Sequence, residues 1–439
     1  AIIACEFSFL GGSIGVAAAE RITSAIERAT AEGIPVIASP TSGGTRMQEG
    51  TVAFLQMVKI AAAVQMHKEA HLPYLVYLRH PTTGGVFASW GSLGHITFAQ
   101  PGALIGFLGP RVYEALYGEE FPPGVQTAEN LYRNGIVDGV LAPEAVRPVL
   151  MRALRVLAGV PERAEAAPDP GRPDRPAVVT EVPDVPAWQS VMLSRAPARP
   201  GIRTLLEHST SDLVPLSGTG QGEAERAMVL ALARFHGTPA VVLGQDRLAQ
   251  TPTSPLGPGA LREARRAMRL AAQLRLPLVL VVDTVGAALS VAAEERGLAP
   301  EIARCVADLV TLRTATVSII LGQGSGGGAL ALLPADRVLA AQHGWIAPLP
   351  PEGASAIVHR DTEHAPQMAR DQGVRSLDLL RAGIVDGIVP EDPDAGIDPV
   401  GFAGRAGVAI AQQLRLLEAT EPSERMSARM RRYRNLGLT

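Results

Sequence analysis

The hydrophobic pattern of this chain alternates between two periods. Val16–Glu32 and Pro258–Leu274 place apolar residues at helical spacing, with charged residues between them, and read as amphipathic helices. Each leads into a proline and an apolar run, Gly33-Ile34-Pro35-Val36-Ile37 and Arg275-Leu276-Pro277-Leu278-Val279. A polar loop, a long helical stretch, a second strand-like run, a glycine loop and another helix follow, twice, in the same order. Runs such as Leu278–Val282 have no polar face, which predicts strands buried on both sides in a largely parallel sheet. The predicted fold class is α/β, built from repeated ββα units.

The repetition reaches individual residues. Arg133-Asn134-Gly135-Ile136-Val137-Asp138-Gly139-Val140 returns 248 positions on as Arg381-Ala382-Gly383-Ile384-Val385-Asp386-Gly387-Ile388. Gly84 returns as Gly327 after 243 positions, and Pro35 as Pro277 after 242. Between the copies, residues 162–200 are rich in proline and charge and read as a linker. The expected organisation is a domain over 1–161, that linker, and a second domain over 201–439.

Composition removes several function classes. A net charge of −3 gives no reason to expect nucleic acid or an anionic membrane as partner. No apolar run is long enough to span a bilayer, and no signal peptide is visible. The two cysteines, Cys5 and Cys305, form neither a disulfide framework nor a zinc cluster, so a reducing, cytoplasmic setting is expected. Only Lys59 and Lys68 are lysines among 40 basic residues, so phosphate contacts fall to arginine. No GxxxxGK[ST] loop is present, and no lysine stands in an Ala-Met-Lys-Met setting, which excludes a P-loop and covalent biotin. The chain opens at Ala1 directly in strand-like sequence, and a preceding segment is expected.

The chemistry concentrates in glycine. Pro81-Thr82-Thr83-Gly84-Gly85-Val86 and Gly324-Ser325-Gly326-Gly327-Gly328-Ala329 each follow a strand-like run and open a small-residue helix. Backbone N–H groups at such a point hold developing negative charge, so each half is expected to carry an oxyanion hole. Ser42-Gly43-Gly44-Thr45-Arg46-Met47-Gln48-Glu49-Gly50 lets a ligand approach the backbone, with Arg46 able to meet an anion. None of the nine histidines has metal-ligand spacing, and neither a GxSxG elbow nor an HExxH helix occurs, so no metal is expected. Two holes without a side-chain base suit a reaction whose base comes from substrate or cofactor.

These stretches resemble the carboxyltransferase of acetyl-CoA carboxylase, a biotin-dependent acyl-CoA carboxylase component of the crotonase superfamily, with β and α subunits fused in one chain. The β-like half carries Phe9-Leu10-Gly11-Gly12-Ser13-Ile14-Gly15, the Gly43-Gly44 and Gly84-Gly85 loops, and Pro101-Gly102-Ala103-Leu104-Ile105-Gly106-Phe107. The α-like half carries Ala293-Glu294-Glu295-Arg296-Gly297, the Gly327-Gly328-Ala329 loop and Pro351-Glu352-Gly353-Ala354-Ser355-Ala356. The resemblance implies tandem ClpP/crotonase-like domains that move a carboxyl group from carboxybiotin to acetyl-CoA or another short acyl-CoA, giving malonyl-CoA for fatty acid biosynthesis.

It further implies that Gly84 and Gly85 hold the thioester enolate oxygen, and that Gly327, Gly328 and Ala329 hold the biotin ureido oxygen. Gly43, Gly44, Arg46, Gly12 and Gly106 then lie on the acyl-CoA side. A biotin carboxyl carrier protein and a biotin carboxylase are expected as partners, and a homodimer or hexamer as the assembly, with one subunit's N-domain facing another's C-domain. The family's four-cysteine zinc ribbon has no counterpart in these residues. Its Asp-Thr-Pro-Gly-Ala-Tyr-Pro stands here as Asp283-Thr284-Val285-Gly286-Ala287-Ala288-Leu289. Alternatives are a crotonase-type decarboxylase, which uses the same two holes, a hydratase, and a weakly active scaffold subunit.

Overall fold

The computed structural model describes residues 1–108, 110–158 and 176–438. The chain divides into two compact units, Ala1–Leu157 with Leu216–Ala224, and Ala158–Pro215 with Glu225–Thr439.

The first unit is built on a five-stranded sheet of Ile2–Ala4, Val36–Ser39, Tyr74–Leu78, Ile96–Ala99 and Gly139–Val140, in chain order and parallel at every pair. Tyr74–Leu78 is buried at all five residues, as an unbroken apolar run in a parallel sheet must be. The helix Val16–Ala31 lays Ala19, Ile22, Ile26 and Ala29 into the core. The helix Gly50–Glu69 is apolar on all sides, yet Phe54, Leu55, Val58 and Met66 remain exposed in this chain while Ile60 and Val64 are buried.

The second unit repeats this frame and adds to it. Its sheet runs Gly387–Val389, Arg337–Ala341, Thr316–Ser325, Leu278–Thr284, Thr238–Gln245, Met228–Phe235 and Thr210–Leu216. The pairs from Gly387–Val389 to Thr238–Gln245 are parallel. Met228–Phe235 joins antiparallel through a two-residue turn, His236 (φ +46°) and Gly237 (φ +83°), the left-handed pair that matches the twist of a hairpin. The tandem ββα α/β architecture expected from the sequence is therefore present, with a hairpin extension that the repeat pattern did not announce.

Two repeated devices hold the halves alike. Gly15 and Gly257 each precede their unit's first long helix, and a distant glutamate supplies the missing cap. Glu49 accepts the Val16 N–H at 2.7 Å, and Glu225 accepts those of Gly257 and Gly259 at 2.7 and 3.0 Å. The repeated Gly-Ile-Val-Asp-Gly places Asp138 and Asp386 at strand entries. Asp138 bonds Thr97 through both its N–H and its carboxylate (2.7 and 2.8 Å), and Asp386 bonds Val338 the same way (2.7 and 2.7 Å).

The compact units are drawn differently from the expected domains 1–161 and 201–439. Residues 162–175 of the linker lie outside the described residues, and 176–200 pack as part of the second unit. Val179 bridges Ile388, and the helix Ala187–Ser194 buries Val191 and sets Ser194 Oγ to accept the Trp345 indole N–H at 2.8 Å. Conversely, Leu216–Ala224 belongs to the first unit. Gly218 sits so close on Gly135 that a Cβ would collide with it, Gly220 donates to the Gly135 carbonyl at 2.8 Å, and Ser217 donates to Asp138 at 3.2 Å. Among the described residues no helix is long and apolar enough to cross a membrane.

Candidate active site

In the first unit the glycine loops stack side by side. Parallel bridges join Ile14 to Thr45, Ser42 to Thr82, and Thr82-Thr83 to Ile105-Gly106. The sequence therefore brings Gly12, Gly43, Gly44, Gly84, Gly85 and Gly106 into one patch of ladder. Their packing explains the residue type. A Cβ on Gly12 would collide with the Thr41 carbonyl and one on Gly106 with the Gln126 amide, while one on Gly44 would lie 3.6 Å from Gly84 Cα.

Gly84 opens the short helix Gly84–Phe87 at φ +61°, a region open to glycine at little steric cost. Its N–H donates to the Phe107 carbonyl at 3.1 Å, so Gly84 shapes the entry rather than presenting a donor. Gly85 and Val86 occupy the second and third helical positions, upstream of the first intrahelical bond, which the Thr83 carbonyl accepts. Space beside Gly85 is tight: a Cβ would meet Thr45 Oγ1 at 3.1 Å and Met57 Cγ at 3.3 Å.

Arg46, offered as an anion contact, is engaged within the unit. It donates to Ser13 Oγ (3.2 Å), the Ser13 carbonyl (3.1 Å) and Glu49 (3.3 Å), and Glu49 in turn caps Val16. It clamps the 11–15 loop to the 42–49 loop.

In the second unit the strand Thr316–Ser325 runs into the helix Gly326–Leu330, and Gly326 has φ +63°. The left-handed first residue thus corresponds to Gly84, and Gly327 to Gly85. Gly327 and Gly328 hold the second and third positions, whose amides face outward from the ladder. Ala329 is one residue further, where its N–H bonds the carbonyl of the capping Ser325. Gly328 and Ala329 are both buried, and Gly327 is partly exposed. A Cβ on Gly327 would meet Ile302 Cδ1 at 2.7 Å, and one on Gly328 would meet Leu256 Cδ2 at 2.7 Å. Two aliphatic side chains therefore lie against this stretch of backbone.

Polar groups behind this strip were not visible in the sequence. The buried Asp283 carboxylate accepts the Gln323 N–H at 3.0 Å and faces Arg247 at 3.3 Å. Burial pushes its pKa up against the pull of Arg247. Gln245 donates to the Gly328 carbonyl at 2.6 Å and accepts the Asp283 N–H at 3.1 Å. Asp283 opens the Asp-Thr stretch quoted above, without its partners being visible there, and Gln245 carries no motif, only the signal of a polar residue closing an apolar strand run.

The buried histidines serve packing. His67 bonds Thr30 Oγ1 and the Pro73 carbonyl, and His95 accepts the Tyr74 N–H, burial pushing its pKa down to about 3. His343, Glu391 and Asp394 are the one group of metal-ligating type among the described residues. Arg199 already grips Glu391 there through two bonds of 2.6 and 2.7 Å and supplies its countercharge.

Comparison with known proteins bears on this geometry. A family model described as the carboxyl transferase domain matches residues 1–427. The chain is 66 % identical over 438 residues to a probable biotin-dependent acyl-coenzyme A carboxylase beta3 subunit of Mycobacterium tuberculosis, covering 100 % of this chain and 86 % of that protein. It is 40 % identical over 449 residues to the acetyl-coenzyme A carboxylase carboxyl transferase subunits beta/alpha of Salinispora arenicola, covering 100 % of this chain and 79 % of that one. In fold it is similar to transcarboxylase 12S, solved as a hexamer with hydrolysed methylmalonyl-coenzyme A bound, with a TM-score of 0.75 at 20 % identity over 95 % of this chain and 78 % of that one.

Proposed function

We propose, from the premise that this chain belongs to the carboxyl transferase domain family and is a biotin-dependent carboxyltransferase, that it carboxylates the α-carbon of a short acyl-CoA, acetyl-CoA first among them. Carboxybiotin on a separate carrier supplies the carboxyl group and a ring nitrogen basic enough to take the α-proton. The chain's own residues bind, orient and hold charge. In the first unit the Gly85 N–H, with that of Val86 beside it, holds the thioester oxygen as it gains charge, and Gly84 sets the turn that aims them. In the second unit the Gly327 and Gly328 N–H groups hold the ureido oxygen between Ile302 and Leu256. Gly43 and Gly44 keep side chains away from the thioester, and Arg46 fixes the loop that carries them.

The observation that carries this reading is the pair of glycine-opened helices, one in each unit, with matching first residues at φ +61° and +63°. Aligned donors at such helix starts lower a barrier most where negative charge develops in a dry site. Acetyl-CoA as acceptor draws support from the Salinispora relative's name, and a longer or branched acyl group from the methylmalonyl-coenzyme A of transcarboxylase 12S. A carrier and a biotin carboxylase as partners follow from the biotin-dependent relatives. The exposed Phe54, Leu55, Val58 and Met66 favour a homo-oligomer, dimer or hexamer.

Reverse transfer tests the proposal. Malonyl-CoA or methylmalonyl-CoA is incubated with biocytin, and release of acetyl-CoA or propionyl-CoA is followed. Biocytin-dependent release is expected, and its relative rate ranks the acyl groups. Release without biocytin would replace this reading with a decarboxylase. Light scattering checks the assembly, and a monomer would overturn the oligomer.

A further inference from the structure

We infer that Gln245 is the positioning residue of the second glycine helix, fixing the direction in which Gly327 and Gly328 present their amides. This rests on the role proposed above for those two glycines. Gln245 closes the strand Thr238–Gln245 and is fully buried. Both ends of its side-chain amide are used: Nε2 donates to the Gly328 carbonyl at 2.6 Å, and Oε1 accepts the Asp283 N–H at 3.1 Å.

The Gly328 carbonyl needs such a donor. Ala331 donates to Gly327 and Leu332 to Ala329, at 3.0 and 3.1 Å, so the backbone bonds pass over the Gly328 oxygen. A buried carbonyl left unmade is costly, and a helix of five residues has little else to set its tilt. Gln245 fills that position and ties it to a rigid point. The Asp283 peptide is held from its other side by Gln250 Nε2 on its carbonyl (3.3 Å), and the Asp283 carboxylate accepts Gln323 N–H on the adjacent strand. Tilt of the first helical turn is thereby referred to the ends of three sheet strands.

The first unit lacks this device. Ala4 pairs with Ser39 as Gly244 pairs with Val281, so Cys5 follows where Gln245 stands. Cys5 offers no amide, and the Gly84 helix is instead tied by its own first N–H to Phe107. The inference thus assigns Gln245 to the biotin side alone.

The test uses Gln245→Met, which keeps length and bulk and deletes both bonds, and Gln245→Glu, whose donor exists only when protonated. Hydrogen exchange is read first, because it does not depend on activity. Peptides spanning residues 326–333 are expected to exchange roughly tenfold faster in Gln245→Met, with residues 84–87 unchanged. In reverse transfer the variant is expected to lose kcat by about 10- to 100-fold at an unchanged KM for malonyl-CoA. Gln245→Glu is expected to regain kcat as pH is lowered.

Wild-type protection of 326–333 in Gln245→Met overturns the inference, whether or not the wild type transfers carboxyl groups. Equal loosening of both glycine helices, or a matching rise in KM, also overturns it, since that is general destabilisation. Faster exchange in 326–333 with an inactive wild type supports the positioning and sinks the transfer reading instead. If Gln245→Met does not fold, the exchange of Gln245→Glu decides: protection that rises at low pH supports the inference, and pH-independent, wild-type protection overturns it.

Discussion

Gly84 and Gly326 adopt one backbone conformation at one place, φ +61° and +63° at the first residue of a short helix. They stand 242 positions apart, the interval that also separates Gly15 from Gly257 and Pro35 from Pro277. Matching Gly84 to Gly327, as the bare sequence invites, is one residue out. By that register Gly327 and Gly328 follow the left-handed residue as Gly85 and Val86 do, and Ala329 lies one residue further along the helix.

Proline at the second helical position removes a donor and also sets ring carbons against Thr45 and Met57 at Gly85, or against Ile302 at Gly327, so both effects add. Gly85→Pro and Gly327→Pro are each expected to lower kcat of reverse transfer by about 10²- to 10³-fold. Acyl-CoA affinity, measured by calorimetry, is expected to stay near wild type in Gly327→Pro. A loss of that affinity equal to the loss in kcat would place Gly327 on the acyl side.

The wall beside Gly327 is a single side chain. Gly327→Ala forces its Cβ onto Ile302 Cδ1, and Ile302→Ala makes room. A double-mutant cycle on kcat is expected to show rescue, with a coupling of about 1–2 kcal/mol. Strict additivity would mean that the damage in Gly327→Ala has another source.

Arg46 gives a test of position against ligand contact. Its three bonds to Ser13 and Glu49 predict that Arg46→Ala loses about 2 kcal/mol of stability in urea. The KM change is expected to be the same for acyl-CoA and for acyl-pantetheine, which lacks the nucleotide phosphates. A penalty seen only with acyl-CoA would return Arg46 to phosphate binding.

The Arg199–Glu391 pair is almost wholly buried, 1 % and 0 % exposed at the side chains. Burial alone would raise the Glu391 carboxyl, but Arg199 outweighs it and holds the pKa below its ordinary 4.5. A depressed native pKa gives stability that is complete above the unfolded value and is lost as pH falls through the native one. Arg199→Met is expected to cost about 3–5 kcal/mol at pH 7. That gap is expected to narrow toward pH 3 in chemical denaturation, because the stranded carboxyl then takes up a proton. A pH-independent gap would show that packing rather than charge sets the loss.

Much of this was legible in the sequence because it follows from periodicity and from glycine. Unbroken apolar runs such as Tyr74–Leu78 have one home, a sheet covered on both faces, and a repeated frame betrays itself by repeated turns such as those of Asp138 and Asp386. What stayed hidden depends on partners distant in the chain. Arg46 reads in the sequence as an anion contact, and its bonds to Ser13 and Glu49 show only in the fold. Gln245 had no neighbour in sequence to give it a purpose. Proline and charge around 162–200 hid the helix Ala187–Ser194, whose buried Val191 and Ser194 reveal their role only against Trp345. The exposure of Phe54 and Val58 on the helix Gly50–Glu69 likewise shows only in the fold.

The passage of the chain through 158–215 and back to Leu216–Ala224 sets how the protein can be divided. A protease that nicks the proline-rich stretch does not release two independent halves. The downstream fragment keeps Gly218 and Gly220, which belong on Gly135 of the upstream one. The upstream fragment is then left without nine residues of its own unit, Leu216–Ala224, which the downstream fragment carries away.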